Sequence, residues 1–273
     1  MITITSEEMK DYRLCPRLYA FRKADELAGV HKKADVLRQR YENTLLKVFG
    51  YFFYKQQSGI IVSYGSLLKR WDKLWFGKTA SISDIISAEN PVKSPSVTNY
   101  AAMASTVLRQ FWDDYANDER DPFIIGEPYA FQLSADIRIG GEFDVVLRNA
   151  RTKQIDVIKW DFKDNNASRV PSDLDLPLFK MAFDNRYGHG HHANFYKVRL
   201  PGKTEEVTIT EEDIYEVEYL AYDMAEAVVN IPRRHKNSFC SMCPYQTPCS
   251  KWVVTKEDLK WKKEKVQSLL RAT

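Results

Sequence analysis

Apolar positions recur with a helical period in the first part of the chain and alternate with polar ones in the middle. From Asp35 to Tyr54, the residues Val36, Leu37, Tyr41, Leu45, Val48, Phe49 and Phe52 trace one face of a long amphipathic helix. Leu67, Leu68, Trp71, Leu74 and Trp75 trace a second over residues 64–76, and Tyr100 to Tyr115 a third. Ahead of them, Thr5 or Ser6 can cap a helix whose first turn holds Glu7 and Glu8, where acidic side chains suit the helix dipole. Tyr12, Cys15, Tyr19 and Phe21 then fall near helical spacing. Residues 81–96, with Pro91 and Pro95, read as a loop. The first 120 residues are therefore predicted to be mostly helical.

The texture changes at Asp121-Pro122. Residues 124–133, 135–139, 142–147 and 155–162 are β-rich, with Gly140-Gly141 and residues 149–153 predicted as turns between them. A helix is expected over Leu174 to Asn185, strands over His192 to Leu200 and Glu205 to Ile209, and a capped helix from Thr210 to about Val229. A cysteine-rich segment follows Pro232, and a basic helix is expected from Thr255 to Leu270. This layout divides the chain into a helical region (1–120), a β-containing core (121–230) and a C-terminal return (231–273).

Composition narrows the picture only modestly. Hydrophobic residues make up 44% and charged residues 28% of the 273 positions, ordinary for a globular protein. The net charge of +3 does not by itself indicate a nucleic-acid partner, but 40 basic residues can still cluster into a basic groove. No apolar run approaches the length of about 18 residues that suggests a membrane span. Residues 1–8 lack the basic and apolar regions of a signal peptide. A cytoplasmic location without membrane contact is the expectation.

In such a reducing compartment the four cysteines point to a metal or redox role rather than to disulfides. Cys240, Cys243 and Cys249 form a C-x2-C-x5-C cluster in a loop stiffened by Pro244 and Pro248. The remaining cysteine, Cys15 in Leu14-Cys15-Pro16-Arg17, can supply a fourth thiolate and so clasp two distant parts of the chain. Four thiolates suit an iron–sulfur cluster and structural zinc equally well, so spacing leaves the choice of metal open.

A second set of residues carries charge in otherwise apolar strands. Gly141-Glu142-Phe143-Asp144 places Asp144 after a glycine pair. Ile158-Lys159-Trp160-Asp161-Phe162-Lys163 places Asp161 and Lys163 two apart, on one face of a strand. Glu127 can add a third carboxylate. Carboxylates of this kind hold Mg2+ or Mn2+, hard cations that prefer oxygen, and a lysine beside them can orient water or offset developing charge. An Asp-x-Lys triplet alone is common on exposed strands; the Gly-x-x-Asp segment one hairpin earlier is what raises its weight.

In that order, Cys15-Pro16-Arg17-Leu18-Tyr19, Gly141-x-x-Asp144, Asp161-Phe162-Lys163 and the Cys240/Cys243/Cys249 triad resemble the PD-(D/E)xK nuclease superfamily, and within it the iron–sulfur branch of Cas4-like and AddB-type RecB-family exonucleases. The resemblance spans roughly residues 10 to 252. It implies an α/β (α+β) fold: a restriction-endonuclease-like core with a mixed central sheet, a helical N-terminal region and termini clasped by a [4Fe–4S] cluster on the four cysteines. It implies Asp144 and Asp161 as ligands of a catalytic Mg2+ or Mn2+, Glu127 as a further acidic residue at the metal, and Lys163 as the catalytic lysine. The implied activity is a DNA exonuclease working on single strands or ends.

Two departures accompany the resemblance. The helix after the first cysteine lacks the family's histidine, with Thr44 near its place, and Asp175 and Phe179 stand where the family has Gln and Tyr. A catalytically degenerate nucleic-acid-binding or assembly subunit on the same fold is the alternative, and a zinc-stabilised interaction protein a third. Arg169, Arg233, Arg234 and Lys236 are candidate nucleic-acid contacts, through phosphates. A protein partner in recombination, replication or CRISPR adaptation is compatible with the resemblance. The histidines of Gly188-His189-Gly190-His191-His192 read as a glycine-punctuated loop rather than a metal site.

Overall fold

The computed structural model of the protein describes residues 1–27, 36–77, 97–162, 174–189 and 192–229, together with Cys240, Cys243, Tyr245 and Cys249. The chain opens with a short strand, β1 (Ile2–Thr5), that leads directly into α1 (Ser6–Leu14). Thr5 forms the expected cap: its hydroxyl accepts from the Glu8 amide at 3.3 Å, and its own amide donates to the Glu8 carboxylate at 2.8 Å. Cys15 then adopts an extended backbone, as a residue before proline prefers, and Pro16 starts α2 (Pro16–Leu27). Cys15 therefore sits at the break between two helices.

The amphipathic segments form α3 (Val36–Gln57), α4 (Tyr64–Phe76) and α5 (Val97–Tyr115). The strands follow as β2 (Arg120–Gln132), β3 (Ile137–Asn149) and β4 (Ile155–Asp161), then α6 (Asp175–Tyr187), β5 (Ala193–Arg199), β6 (Thr204–Glu206) and α7 (Glu211–Val229). They build a six-stranded mixed sheet in the order β1-β3-β4-β5-β6, with β2 also on β3. No described helix is long and apolar enough to cross a membrane.

Two apolar cores sandwich the sheet. One joins α3, α4 and α5 to Val145, Leu147, Ile158 and Trp160, around the stacked rings of Phe49 and Phe111 at 3.9 Å. The other joins α1, α6 and α7 to Phe143, Val146, Val157 and Phe195. Burial of such side chains contributes about 1.5–3 kcal/mol each, so these two layers supply most of the driving force.

Strand β3 organises the sheet. β2 runs antiparallel along nearly all of one edge, from Gln132↔Arg138 to Arg120↔Asn149. The other edge is shared: β1 pairs in parallel with residues 137–140, and β4 pairs antiparallel with residues 145–148. Gly141 to Asp144 fall between these two ladders, so the sheet forks there.

The alternation of side chains also changes phase at this point. Ile137, Ile139 and Phe143 belong to the second core, whereas Val145 and Leu147 belong to the first. On the paired strand, Ile125 lies in the first core and Tyr129 and Phe131 in the second. The change occurs opposite Gly126, whose φ of +54° favours a residue without a side chain.

Two expectations need correction. Gly140-Gly141 is not a turn but the middle of β3, paired with Ala130 and Tyr129; the reversal lies at residues 133–136. The glycines mark close approach instead. A Cβ at Gly141 would lie 2.4 Å from the Tyr129 hydroxyl, whose ring crosses over that position. Strand β1, in turn, falls where only a helix start was predicted, because four residues carry little pattern of their own and their pairing partner lies far along the chain. The basic helix expected at 255–270 lies outside the described residues.

Gly141→Ala should push Tyr129 aside and destabilise the protein by about 1–3 kcal/mol, the usual range for overpacking. At Gly140 a Cβ meets ordinary contact, 3.5 Å from Thr3 Cγ2, so Gly140→Ala should stay within about 0.5 kcal/mol. Urea unfolding of the two variants checks the contrast; equal effects would contradict it.

Candidate active site

The fork in the sheet gathers the charged residues. Asp144 is the last residue of β3 before the ladder to β4 begins at Val145↔Ile158. Its Oδ2 accepts the Trp160 amide at 2.7 Å, so a side chain takes over where backbone pairing stops. The Lys159 ammonium lies 3.1 Å from the same oxygen. Burial pushes the Asp144 carboxyl up from its ordinary value, against the opposing pull of Lys159 and the Trp160 amide.

Lys159 and Asp161 share a face of β4 by the two-residue period. β5 runs parallel beside it in the register Lys159↔Lys197 and Asp161↔Arg199. Asp161 is buried, with Lys197 Nζ at 3.6 Å and Arg199 Nε at 3.8 Å. Across from them, α6 begins at Asp175, where a carboxylate suits the N-terminal end of the dipole. Asp175 is buried, 2.6 Å from Lys10 Nζ on α1 and 3.9 Å from Lys159 Nζ. Burial alone would raise its pKa, but Lys159, Lys10 and the Ser6 hydroxyl hold it well below the usual carboxylate range.

Two further groups border this cluster. Burial, followed by the nearby Asp175 charge, raises the Tyr129 phenol. Glu142 is likewise pushed up, first by burial and then by Asp144.

Asp144 and Asp161 thus lie on one side of adjacent strands. Glu127 does not join them: it is half-exposed on β2 and pairs with Arg186 near the end of α6 at 2.7 Å. Thr44 is buried, and its hydroxyl donates to the Arg40 carbonyl one turn back, at 2.7 Å. His189 is exposed and lies 3.5 Å from Asp184. Lys163, Arg169, Arg233, Arg234 and Lys236 lie outside the described residues, as do Gly190 and His191. Among the described residues, no group of three or more His, Cys, Asp or Glu side chains stands ready to hold a metal ion.

Lys10, Lys159, Lys197 and Arg199 are the participants that the sequence pattern passed over. Lys159 was legible in principle, since it sits two residues before Asp161 on the same strand face. Lys10 and the β5 pair were not, because only the packing of α1 and the parallel register bring them in.

The cysteines converge from distant positions. Burial raises the Cys243 thiol first, and Cys15, Cys240 and Cys249 are near enough to raise it further. The Cys243 amide donates to the Cys240 carbonyl at 3.4 Å, and the Cys249 amide to the Tyr245 carbonyl at 2.9 Å. Tyr245 stacks on Phe21 of α2 at 5.0 Å, and the Arg17 guanidinium reaches Cys249 Sγ at 4.0 Å. These contacts place the cysteine segment against the α1–α2 break that carries Cys15.

A mixed sheet with buried carboxylates at its fork and helices on both faces matches the architecture of restriction-endonuclease-like proteins. The family model of the PD-(D/E)XK nuclease superfamily matches residues 3–250, and the chain belongs to that superfamily. Among solved structures it is similar to a "putative exonuclease" from Eubacterium rectale, at 11% identity and a TM-score of 0.45, covering 93% of this chain and 90% of that one. It is also similar to the structure of SSO0001, at 14% identity and a TM-score of 0.35, covering 80% and 95%. No curated protein matches the sequence.

Asp175 makes a pH-dependent contribution to stability. Its pKa is depressed in the folded state, so the stabilisation is present above the unfolded value of about 3.9 and is lost as the pH falls through the lower folded value. Asp175→Asn should therefore reduce stability by about 3 kcal/mol at neutral pH, as breaking a buried ion pair does. The gap to the wild type should close in strong acid. Urea midpoints across that range test this, and a gap independent of pH would refute it.

Proposed function

We propose that this protein is a metal-dependent DNA nuclease, an exonuclease that hydrolyses phosphodiesters at DNA ends or on single strands. The observation that carries the reading is the placement of Asp144 and Asp161 on one side of adjacent strands, at a fork in the sheet, in a chain of this superfamily. The donor set fits a divalent ion of the Mg2+ or Mn2+ class. Both groups are hard carboxylate oxygens, and burial of Asp144 disfavours its anion unless a cation stands beside it. When bound, such an ion supplies an activated water and charge neutralisation at the phosphate.

Within this reading, Asp144 and Asp161 hold the ion, and Lys163, two residues on from Asp161, orients the attacking water or offsets charge on the phosphate. Lys197 and Arg199 lie beside Asp161, where they can meet a DNA phosphate. Arg169, Arg233, Arg234 and Lys236 extend the same role. Glu127 would have to leave Arg186 to join the metal.

The four cysteines are proposed to hold a [4Fe–4S] cluster that ties the C-terminal segment to the α1–α2 break. The reading rests on their spacing in the sequence and on the nearness of Cys15, Cys240 and Cys249 to Cys243, although no three of these thiols stand at metal-binding distance in this structure. Four thiolates accept zinc as well, and the iron content distinguishes the two.

One observation favours a second reading, a nucleic-acid-binding subunit without catalysis. Thr44 stands near the place of the family's histidine and bonds to its own helix. Purified wild-type protein would then bind DNA and leave it uncut with Mn2+.

Asp161→Ala and Lys163→Ala should each abolish Mn2+-dependent cleavage of labelled DNA while leaving the circular dichroism spectrum unchanged. Undiminished cleavage in both would sink the nuclease reading. Anaerobically purified protein should contain iron and sulfide and absorb in the thiolate-to-iron band, and Cys243→Ala should lose that band. A colourless wild-type protein that carries zinc instead would overturn the cluster.

A further inference from the structure

On one side of the sheet, Asp144, Asp161 and Asp175 stand among Lys10, Lys159, Lys197 and Arg199. Each carboxylate already has a cation of the chain beside it. A divalent ion that enters adds two positive charges to a cluster in which four cations already face three carboxylates, so a resident cation has to yield. Lys159 is the one in contact with Asp144, at 3.1 Å, and it faces a second carboxylate, Asp175, at 3.9 Å.

We propose that Lys159 is the resident counter-ion of Asp144, displaced by the divalent metal and received by Asp175. This inference rests on the reading of Asp144 as a metal-binding carboxylate. The geometry suits a short swing. The lysine stem is flexible, and its ammonium lies 5.7 Å from the Phe179 ring, whose face can keep a cation favourable on the way. Asp175 is a fixed acceptor, anchored by Lys10 at 2.6 Å. Asp144 is held in turn by the Trp160 amide, so it keeps its place when the lysine leaves.

The exchange also gives a reason for Asp175. It stands where the family resemblance expects glutamine, a neutral residue. A neutral side chain would leave a displaced ammonium half-buried without a counter-charge, which is unfavourable. With aspartate there, Lys159 is neutralised in either position. Lys159 is thus a positioning residue that sets how firmly the metal is held, and it need not touch the phosphate.

The test is Mn2+ binding by isothermal titration calorimetry without nucleic acid, at a fixed pH above neutrality and low ionic strength. Lys159→Met and Lys159→Gln remove the competing cation and should bind Mn2+ about tenfold more tightly than wild type, a difference of about 1.4 kcal/mol. Lys159→Arg keeps the charge and should stay within about threefold of wild type. A merely structural role would have the opposite sign, since damage loosens a site. Equal or weaker binding in both neutral variants would therefore overturn the inference while leaving the metal reading intact. Absence of Mn2+ binding in the wild type and in every variant would overturn the metal reading itself.

If the neutral variants do not fold, the wild type carries the test. Its lysines are 13C-methylated, and the Lys159 resonance is identified by its loss in Lys159→Arg. That resonance should shift on saturation with Mg2+; an unmoved resonance in metal-bound protein would refute displacement.

Discussion

The bond from the Trp160 amide to the Asp144 carboxylate stands at the point on which the structure turns. One edge of β3 is divided between a parallel strand from the N-terminus and an antiparallel strand from its own hairpin. Between the two, the backbone of β3 has no ladder on that edge. A buried amide left unpaired costs about 1–3 kcal/mol, and the Asp144 side chain accepts one of those that the end of the ladder would strand. The same bond fixes the carboxylate at the fork. Stability and the candidate chemistry are therefore tied to one side chain.

Charge balance is the second constraint. Asp144, Asp161 and Asp175 are all buried or nearly so, and isolated buried carboxylates are strongly unfavourable. The chain compensates with four cations from three different elements: Lys10 from α1, Lys159 from β4, and Lys197 and Arg199 from β5. The Lys10–Asp175 pair also links α1 to α6 across the second core. The N-terminal helices are thereby joined to α6, and through Lys159 and Asp175 α6 is joined to the sheet, by electrostatics as well as by apolar packing. A site neutralised this way is stable as it stands, yet it presents carboxylates that a stronger cation can claim.

The hydrophobic pattern made much of the fold legible. The long α3 face, the Trp71/Trp75 stripe of α4 and the β-rich middle all appear where periodicity puts them, because each contributes its apolar face to a common core. Gly140-Gly141 misled for a physical reason. Glycine marks both turns and close approaches, and only the Tyr129 ring above Gly141 distinguishes them. Asp144 and Asp161 were legible as charges in apolar strands. Glu127 was equally visible, yet it pairs with Arg186 near the C-terminal end of α6, whereas Asp175 at the start of that helix lies by the lysine that holds Asp144.

By itself the sequence determined most of the described helices and strands, that two carboxylates lie in apolar strands, and that three cysteines stand at ligand spacing with a fourth far away in the chain. Those properties are local: periodicity, capping and short spacings depend on neighbouring residues alone. Only the tertiary structure decided that β1 and β4 share one edge of β3, that Lys159 stands between Asp144 and Asp175, and that Lys10 crosses from α1 to reach the cluster. These depend on strand register and helix docking, which bring together residues as far apart as Lys10 and Asp175. No local pattern encodes such a meeting, because the free energy that selects it comes from burying both cores at once.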